Sequence, residues 1–166
     1  MPREASTPKR PGPPPGVDAP PLGLLLSSVG FGAAFRFRSV IAPAGLLPQE
    51  FAVLRQVATA EGISQQACGA ALKVAPSRMV ALVDDLEAKG FVERRPNPDD
   101  RRTRALHVTA KGRKAFTAAL ESVMRNETEV YSVLSNSEKA ELRRLLQIVA
   151  AQLGLEPGDH PGMNAD

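Results

Sequence analysis

The stretch APSRMVALVDDLEAKGFVERRPNPDDRRTRALHV, residues 75–108, decides the fold. Met79, Leu82, Val83 and Leu86 fall at i, i+3, i+4 and i+7, so one stripe of a helix is apolar and must lie on a core. Ser77, Arg78, Ala81 and Asp85 take the opposite face. Pro76 suits the first helical turn, where its missing N–H costs nothing, and Gly90 supplies the left-handed residue that ends the helix. Residues 91–95 then read as a strand, and residues 96–100 carry the prolines and Asx residues of a turn. Residues 103–108 alternate as a second strand, with Thr103, Ala105 and His107 on one face and Arg104, Leu106 and Val108 on the other.

Charge is concentrated in the same place. Residues 89–114 hold nine Lys or Arg (89, 94, 95, 101, 102, 104, 111, 113 and 114) against three acids (93, 99 and 100). That segment is +6 in a chain of net +3, so the remainder sums to −3. A helix followed by a basic hairpin is a surface for a polyanion, met locally.

Upstream, Pro48 opens a helix over residues 48–58 that carries Phe51, Val53, Leu54 and Val57. Ser64 caps a shorter helix through Leu72, kept small by Ala67, Ala70 and Ala71, and residues 73–75 turn into the helix already described. Two short helices joined in this way form a helix-turn-helix, and the hairpin makes it winged.

The flanks are apolar helices. Residues 22–41 carry Leu24, Leu25, Leu26, Val29, Phe31, Phe35, Phe37 and Val40 on nearly all sides, more than one small domain covers, which points to a second subunit. Phe31, Phe35 and Phe37 are expected in a dimer core, with an effector pocket as the competing assignment and Arg36 or Arg38 as anchors for an acidic ligand. Residues 109–131 form a longer helix with Phe116, Leu120, Val123, Met124 and Val130. Ser135 and Glu138 make a capping box for a last helix bearing Leu142, Leu145, Leu146, Val149 and Leu153. The short linkage predicts that these two are antiparallel neighbours.

The expected fold is mainly α with a small β-hairpin wing. Residues 47–108 form a winged helix-turn-helix DNA-binding domain, and residues 22–46 and 109–154 form a helical dimerisation region. Residues 1–21, with eight of the fifteen prolines, are expected to be a disordered arm, and residues 155–166 a flexible tail. At 43% apolar, 166 residues suffice for one real core.

Several function classes lose ground. His107 and His160 are isolated, and neither metal-ligand spacing nor a base beside a nucleophile is present, so no metal site, cofactor or enzymatic activity is expected. The single cysteine, Cys68, rules out an internal disulfide framework and is expected to be buried and structural rather than a redox switch. The apolar run over residues 22–35 is interrupted by glycines and serines and is met by Arg36 and Arg38, short of the ~20 residues of a spanning helix. About twenty proline-rich residues precede it, unlike the basic start of a secretory signal, so no membrane is expected and the site of action is placed in the cytoplasm.

In the run from Val83 to Arg95 (VDDLEAKGFVERR), then Asp99-Asp100-Arg101-Arg102, then Val108-Thr109-Ala110-Lys111-Gly112, the chain closely resembles the MarR family of transcriptional regulators. The order LExxGxVxR, a turn, DxR and then xTxxG carries the resemblance, which extends over residues 22–153. It implies a homodimer on pseudo-palindromic double-stranded promoter DNA, acting as repressor or activator, with a small aromatic or phenolic molecule as the candidate effector. By position it implies Ser77, Arg78 and Ala81 in the major groove. Arg102, held by Asp100, would enter the minor groove from the wing tip, with Arg101 and Arg104 along the wing and Ser64 and Gln65 against phosphates. Arg94 and Arg95 join this DNA-binding set, with pairing to Glu93 or Asp99 as the alternative. Val80 and Ala81 stand where many relatives have Thr and Arg, and Ala75 replaces an acidic cap. The rival from another class is a winged-helix module that docks on protein without specific DNA binding.

Overall fold

The computed structural model describes residues 20–97 and 104–155. The expected arm up to residue 19, the wing tip with Asp100, Arg101 and Arg102, and the tail from residue 156 lie outside them. The element order is α1 (Leu22–Ile41), a 3₁₀ turn (Ala42–Ala44), α2 (Pro48–Thr59), α3 (Gln65–Ala71), α4 (Pro76–Ala88), β1 (Val92–Pro96), β2 (Arg104–Val108), α5 (Ala110–Val130) and α6 (Asn136–Gln152).

Local chemistry sets these boundaries. Pro48 sits in the first turn of α2, and the Glu50 carboxylate accepts the Leu47 N–H at 2.8 Å. Ser64 Oγ accepts the Ala67 N–H at 3.1 Å to start α3, and Ser135 with Glu138 makes the capping box of α6. Gly90 turns out of α4 at φ +70°.

The core lies where α2, α4 and the hairpin meet. Val53, Leu54, Val57, Met79, Val83, Leu86, Val92 and Leu106 are buried in it. Phe51 joins it to the flanking helices, with the Phe37 ring edge-on at 5.6 Å and the Phe116 ring at 5.5 Å. Phe37 therefore fills the core of its own protomer, whereas Phe31 and Phe35, on other faces of α1, stay exposed.

The hairpin pairs antiparallel, Val92 opposite Val108 and Pro96 opposite Arg104. Gly62, Ile63 and Ser64 add a short third edge, with the Gly62 N–H donating to the Leu106 carbonyl and the Leu106 N–H to the Ile63 carbonyl, both at 2.9 Å. This edge buries Ala105 along with Leu106 and Val108, so the expected alternation fails at Ala105.

Two further expectations need correction. α5 and α6 are not packed neighbours: α6 makes at most marginal contact with any other described element, and its residues are almost all exposed. A short linker permits antiparallel packing without enforcing it: α5 packs Phe116, Ala119 and Val123 on the core instead, and α6 keeps its apolar stripe uncovered. The first helix spans Leu22–Ile41 as expected, but Arg36 and Arg38 do not end its apolar run short of a spanning length. With its 3₁₀ extension it runs 23 residues at a mean hydropathy of 1.3, long and apolar enough by length and composition to cross a membrane, a test that core helices and signal sequences also pass. Here its C-terminal part is packed, with Phe37, Val40 and Ile41 on the core and Arg36 donating to Asn126 Oδ1 at 2.8 Å and Glu129 Oε1 at 3.1 Å.

Candidate nucleic-acid interface

α4 buries Met79, Leu82, Val83 and Leu86 and turns Ser77, Val80, Ala81, Asp84 and Asp85 outward. That outward face is what a helix-turn-helix presents to a groove. α3 lies against α4, with Gly69 facing the turn and the Met79 side chain: a Cβ there would meet the Val74 carbonyl oxygen at 3.4 Å and Met79 Cγ at 3.5 Å.

Arg94 ties the three parts together. Its guanidinium donates to Asp84 Oδ1 at 2.6 Å, to Glu87 Oε2, and to Gln65 Oε1 at 3.1 Å, while its backbone N–H donates to Glu87 Oε1 at 3.2 Å. One side chain on β1 thus holds two residues of α4 and the first residue of α3. Burial alone would lower the Arg94 pKa; hydrogen bonds and charge from Asp84 and Glu87 outweigh it, so the guanidinium is held protonated more firmly than usual. Its side chain is 20% exposed and its charge is already matched by two carboxylates. With Gln65 Oε1 occupied, the Gln65 amide hydrogens remain as donors.

The other expected site residues fall into three groups. Ser77 and Ala81 are exposed on α4, and Arg104 is exposed at the start of β2. Ser64 is half-buried and spends an oxygen lone pair on its helix cap, while Arg95 pairs with Glu93 on its own strand. Arg78 is half-buried rather than fully outward, and its Nε is buried without a hydrogen-bond partner among the described residues. Cys68 is fully buried, and burial pushes its thiol up to about 11, the opposite of an activated thiolate.

Asp84 and Glu87 lay outside the sequence-level site set; the adjacent Asp84–Asp85 pair near a basic run was the signal available for Asp84, and Glu87, seven residues from Arg94, carried no local one. Val80 escaped the sequence-level site set; the signal available was that it falls off the buried i, i+3, i+4, i+7 stripe.

Geometry of this kind defines a winged helix-turn-helix DNA-binding protein. A family model described as the MarR family matches residues 44–103. The chain is 35% identical over 117 residues to the putative transcriptional regulatory protein for the hcr operon of Thauera aromatica, covering 69% of this chain and 70% of the relative. Among solved structures it is similar to CouR. The CouR repressor bound to a 23-mer DNA duplex shares 29% identity at TM-score 0.70, covering 78% of this chain and 92% of CouR. CouR from Rhodococcus jostii RHA1 bound to p-coumaroyl-CoA shares 30% at TM-score 0.65, covering 79% and 92%. It is similar too to a mutant MarR from E. coli complexed with operator DNA, at 27% identity and TM-score 0.68, covering 78% and 94%. The chain belongs to the MarR family of transcriptional regulators.

Proposed function

We propose that this chain acts in the cytoplasm as a homodimer on a pseudo-palindromic promoter site, without catalysis, and that a small aromatic molecule releases it. What carries the proposal is how its exposed surface divides. The head over residues 47–108 exposes Ser77, Arg95 and Arg104, whereas α1, α5 and α6 expose Leu25, Val29, Met124, Leu145, Leu146 and Ile148, left uncovered by the other described residues. A second copy is the natural cover, so residues 22–46 and 109–154 are assigned to dimerisation. Two heads about one helical turn apart then match an inverted repeat.

In this assignment Ser77, Arg78 and Ala81 meet bases in the major groove. Arg102, held by Asp100, enters the minor groove, and Ser64, Gln65, Arg95, Arg101 and Arg104 meet phosphates. Arg94 acts as a positioning residue, fixing the hairpin and Gln65 relative to α4. Support for the effector comes from CouR, a relative whose structure contains an aromatic acyl thioester.

The test titrates full-length protein against duplexes covering the promoter region beside its own gene, at low and near-physiological salt, with Arg102→Ala in parallel. Saturable binding at the higher salt, weakened by about 1–3 kcal/mol in the variant, supports the proposal. Binding that vanishes with salt for both proteins on every duplex, including one selected from a random pool, overturns it and favours docking on protein.

A further inference from the structure

The outward face of α4 holds an apolar group where a base reader is expected. Ser77, Val80, Ala81, Asp84, Asp85 and Ala88 make up that face, so it offers neither the amide nor the guanidinium that reads base edges bidentately. Asp84 is occupied by Arg94, and Arg78 lies half-buried to one side. Val80 is 43% exposed. It borders an open groove between α3 and α4, with Gln66 and Ala70 on one wall, Pro76 and Val80 on the other and buried Met79 between them. Its isopropyl group thus leaves apolar surface open beside an apolar groove.

The surroundings point to one occupant. The segment that follows α4, residues 89–114 through the hairpin into the first turn of α5, carries a net +6, so the polyanion arrives at this end of the molecule with its base edges. Among the groups that a B-form major groove displays, only the C5 methyl of thymine is apolar. A membrane or an apolar peptide would match the groove but not the basic segment beside it.

We propose that Val80 is a specificity-determining residue that reads thymine methyl groups in each half-site, with the groove between α3 and α4 taking the methyl out of water. The inference rests on the operator-binding proposal above. Hydrophobic contact at Val80 then adds to the base contacts of Ser77 and Arg78, and Arg95, Arg101 and Arg104 on phosphates supply affinity with little discrimination among bases.

The experiment uses full-length protein and its highest-affinity duplex, selected from a random pool. Each thymine is replaced in turn by deoxyuridine, which keeps base pairing and removes only the methyl. We expect one thymine in each half-site at which the replacement weakens binding about fourfold, the worth of one buried methyl, and about fifteenfold when both sites are replaced. Val80→Ala should bind the thymine duplex more weakly than wild type does and no longer distinguish it from the uracil duplex. Because Val80 is exposed, the variant should keep its circular dichroism and melting temperature. Tight wild-type binding that is indifferent to every uracil overturns the inference while leaving operator binding intact. Methyl discrimination that persists in Val80→Ala overturns the assignment to that residue. Failure of the pool to yield any tight duplex overturns the DNA-binding proposal itself, and the inference with it.

Discussion

Lys89 fastens the end of α4 to the start of α2, its ammonium 2.6 Å from both carboxylate oxygens of Glu50 and 3.0 Å from the Gly45 carbonyl oxygen. The same carboxylate caps α2 through the Leu47 N–H, so one acidic side chain orders the entry to α2 and the exit of the recognition helix. Glu50 is 2% exposed and Lys89 36%. The two partners are therefore unequal. Lys89→Met strands a buried carboxylate, and we expect a loss of about 2 kcal/mol, below the usual cost of breaking a buried pair because water already screens Lys89. Glu50→Gln keeps a neutral acceptor for Leu47 and frees Lys89 into solvent, so about 1 kcal/mol is expected. Urea unfolding of both variants checks the order; equal losses would show that Glu50 is not the costly side of the pair.

Gly112 has no room for a side chain. A Cβ there would lie 1.9 Å from the Phe91 carbonyl oxygen, because α5 starts directly against the turn between α4 and β1. Thr109 Oγ1 accepts the Gly112 N–H at 2.9 Å and donates to the Gly90 carbonyl at 2.6 Å, which gives the TxxG motif its physical content: a cap and a close approach in one turn. Gly112→Ala should cost about 4 kcal/mol or more, since α5 must leave the hairpin base. Gly30→Ala, on α1 with nothing within 4 Å of the added carbon, should instead stabilise the helix by about 0.5–1 kcal/mol. Thermal unfolding of the pair separates a steric demand from glycine's general cost in helices.

The difference between what the sequence disclosed and what it hid is one of range. The stripe at Met79, Leu82, Val83 and Leu86, the caps at Ser64 and Ser135, and the turn at Gly90 are local patterns, and each stands where the spacing placed it. Arg94 is different: Glu87, Asp84 and Gln65 lie seven, ten and twenty-nine residues away on other elements, so a basic run conceals which member is already paired. Ala105 is buried by a bridge to Ser64, a contact that no strand alternation encodes. The stripe on α6 shows that something must cover it without saying what, and the short linker wrongly suggested α5.

Arg94 and Arg104 should separate positioning from phosphate contact. Removing a phosphate ligand lowers the slope of log affinity against log salt by about one per contact, whereas removing a residue that orients others weakens binding at an unchanged slope. Arg104→Ala is expected to lower the slope by about two for a dimer on two half-sites. Arg94→Ala should weaken operator binding while keeping the wild-type slope, because its charge is already balanced by Asp84 and Glu87. A salt titration by fluorescence anisotropy measures both, and a lowered slope in Arg94→Ala would return that residue to the phosphate-binding set.

The apolar stripe of α6 makes dimerisation testable without touching the DNA-binding head. Leu145 is 46%, Leu146 42% and Leu153 65% exposed in the protomer, and α1 adds Val29 at 59%. Charging such a position costs the isolated protomer little, within about 0.5 kcal/mol, because few of its contacts are internal. In a dimer the same charge would be buried unpaired, which is strongly unfavourable. Leu146→Asp and Val29→Asp should therefore each sediment as folded monomers at micromolar concentration, with unchanged circular dichroism. Operator affinity should then fall by about 10²–10⁴, since the second half-site is no longer reached from the first, while the salt dependence of non-specific binding persists at a reduced slope. Dimers that persist in both variants with unchanged operator affinity would place the subunit contact elsewhere on the helical region.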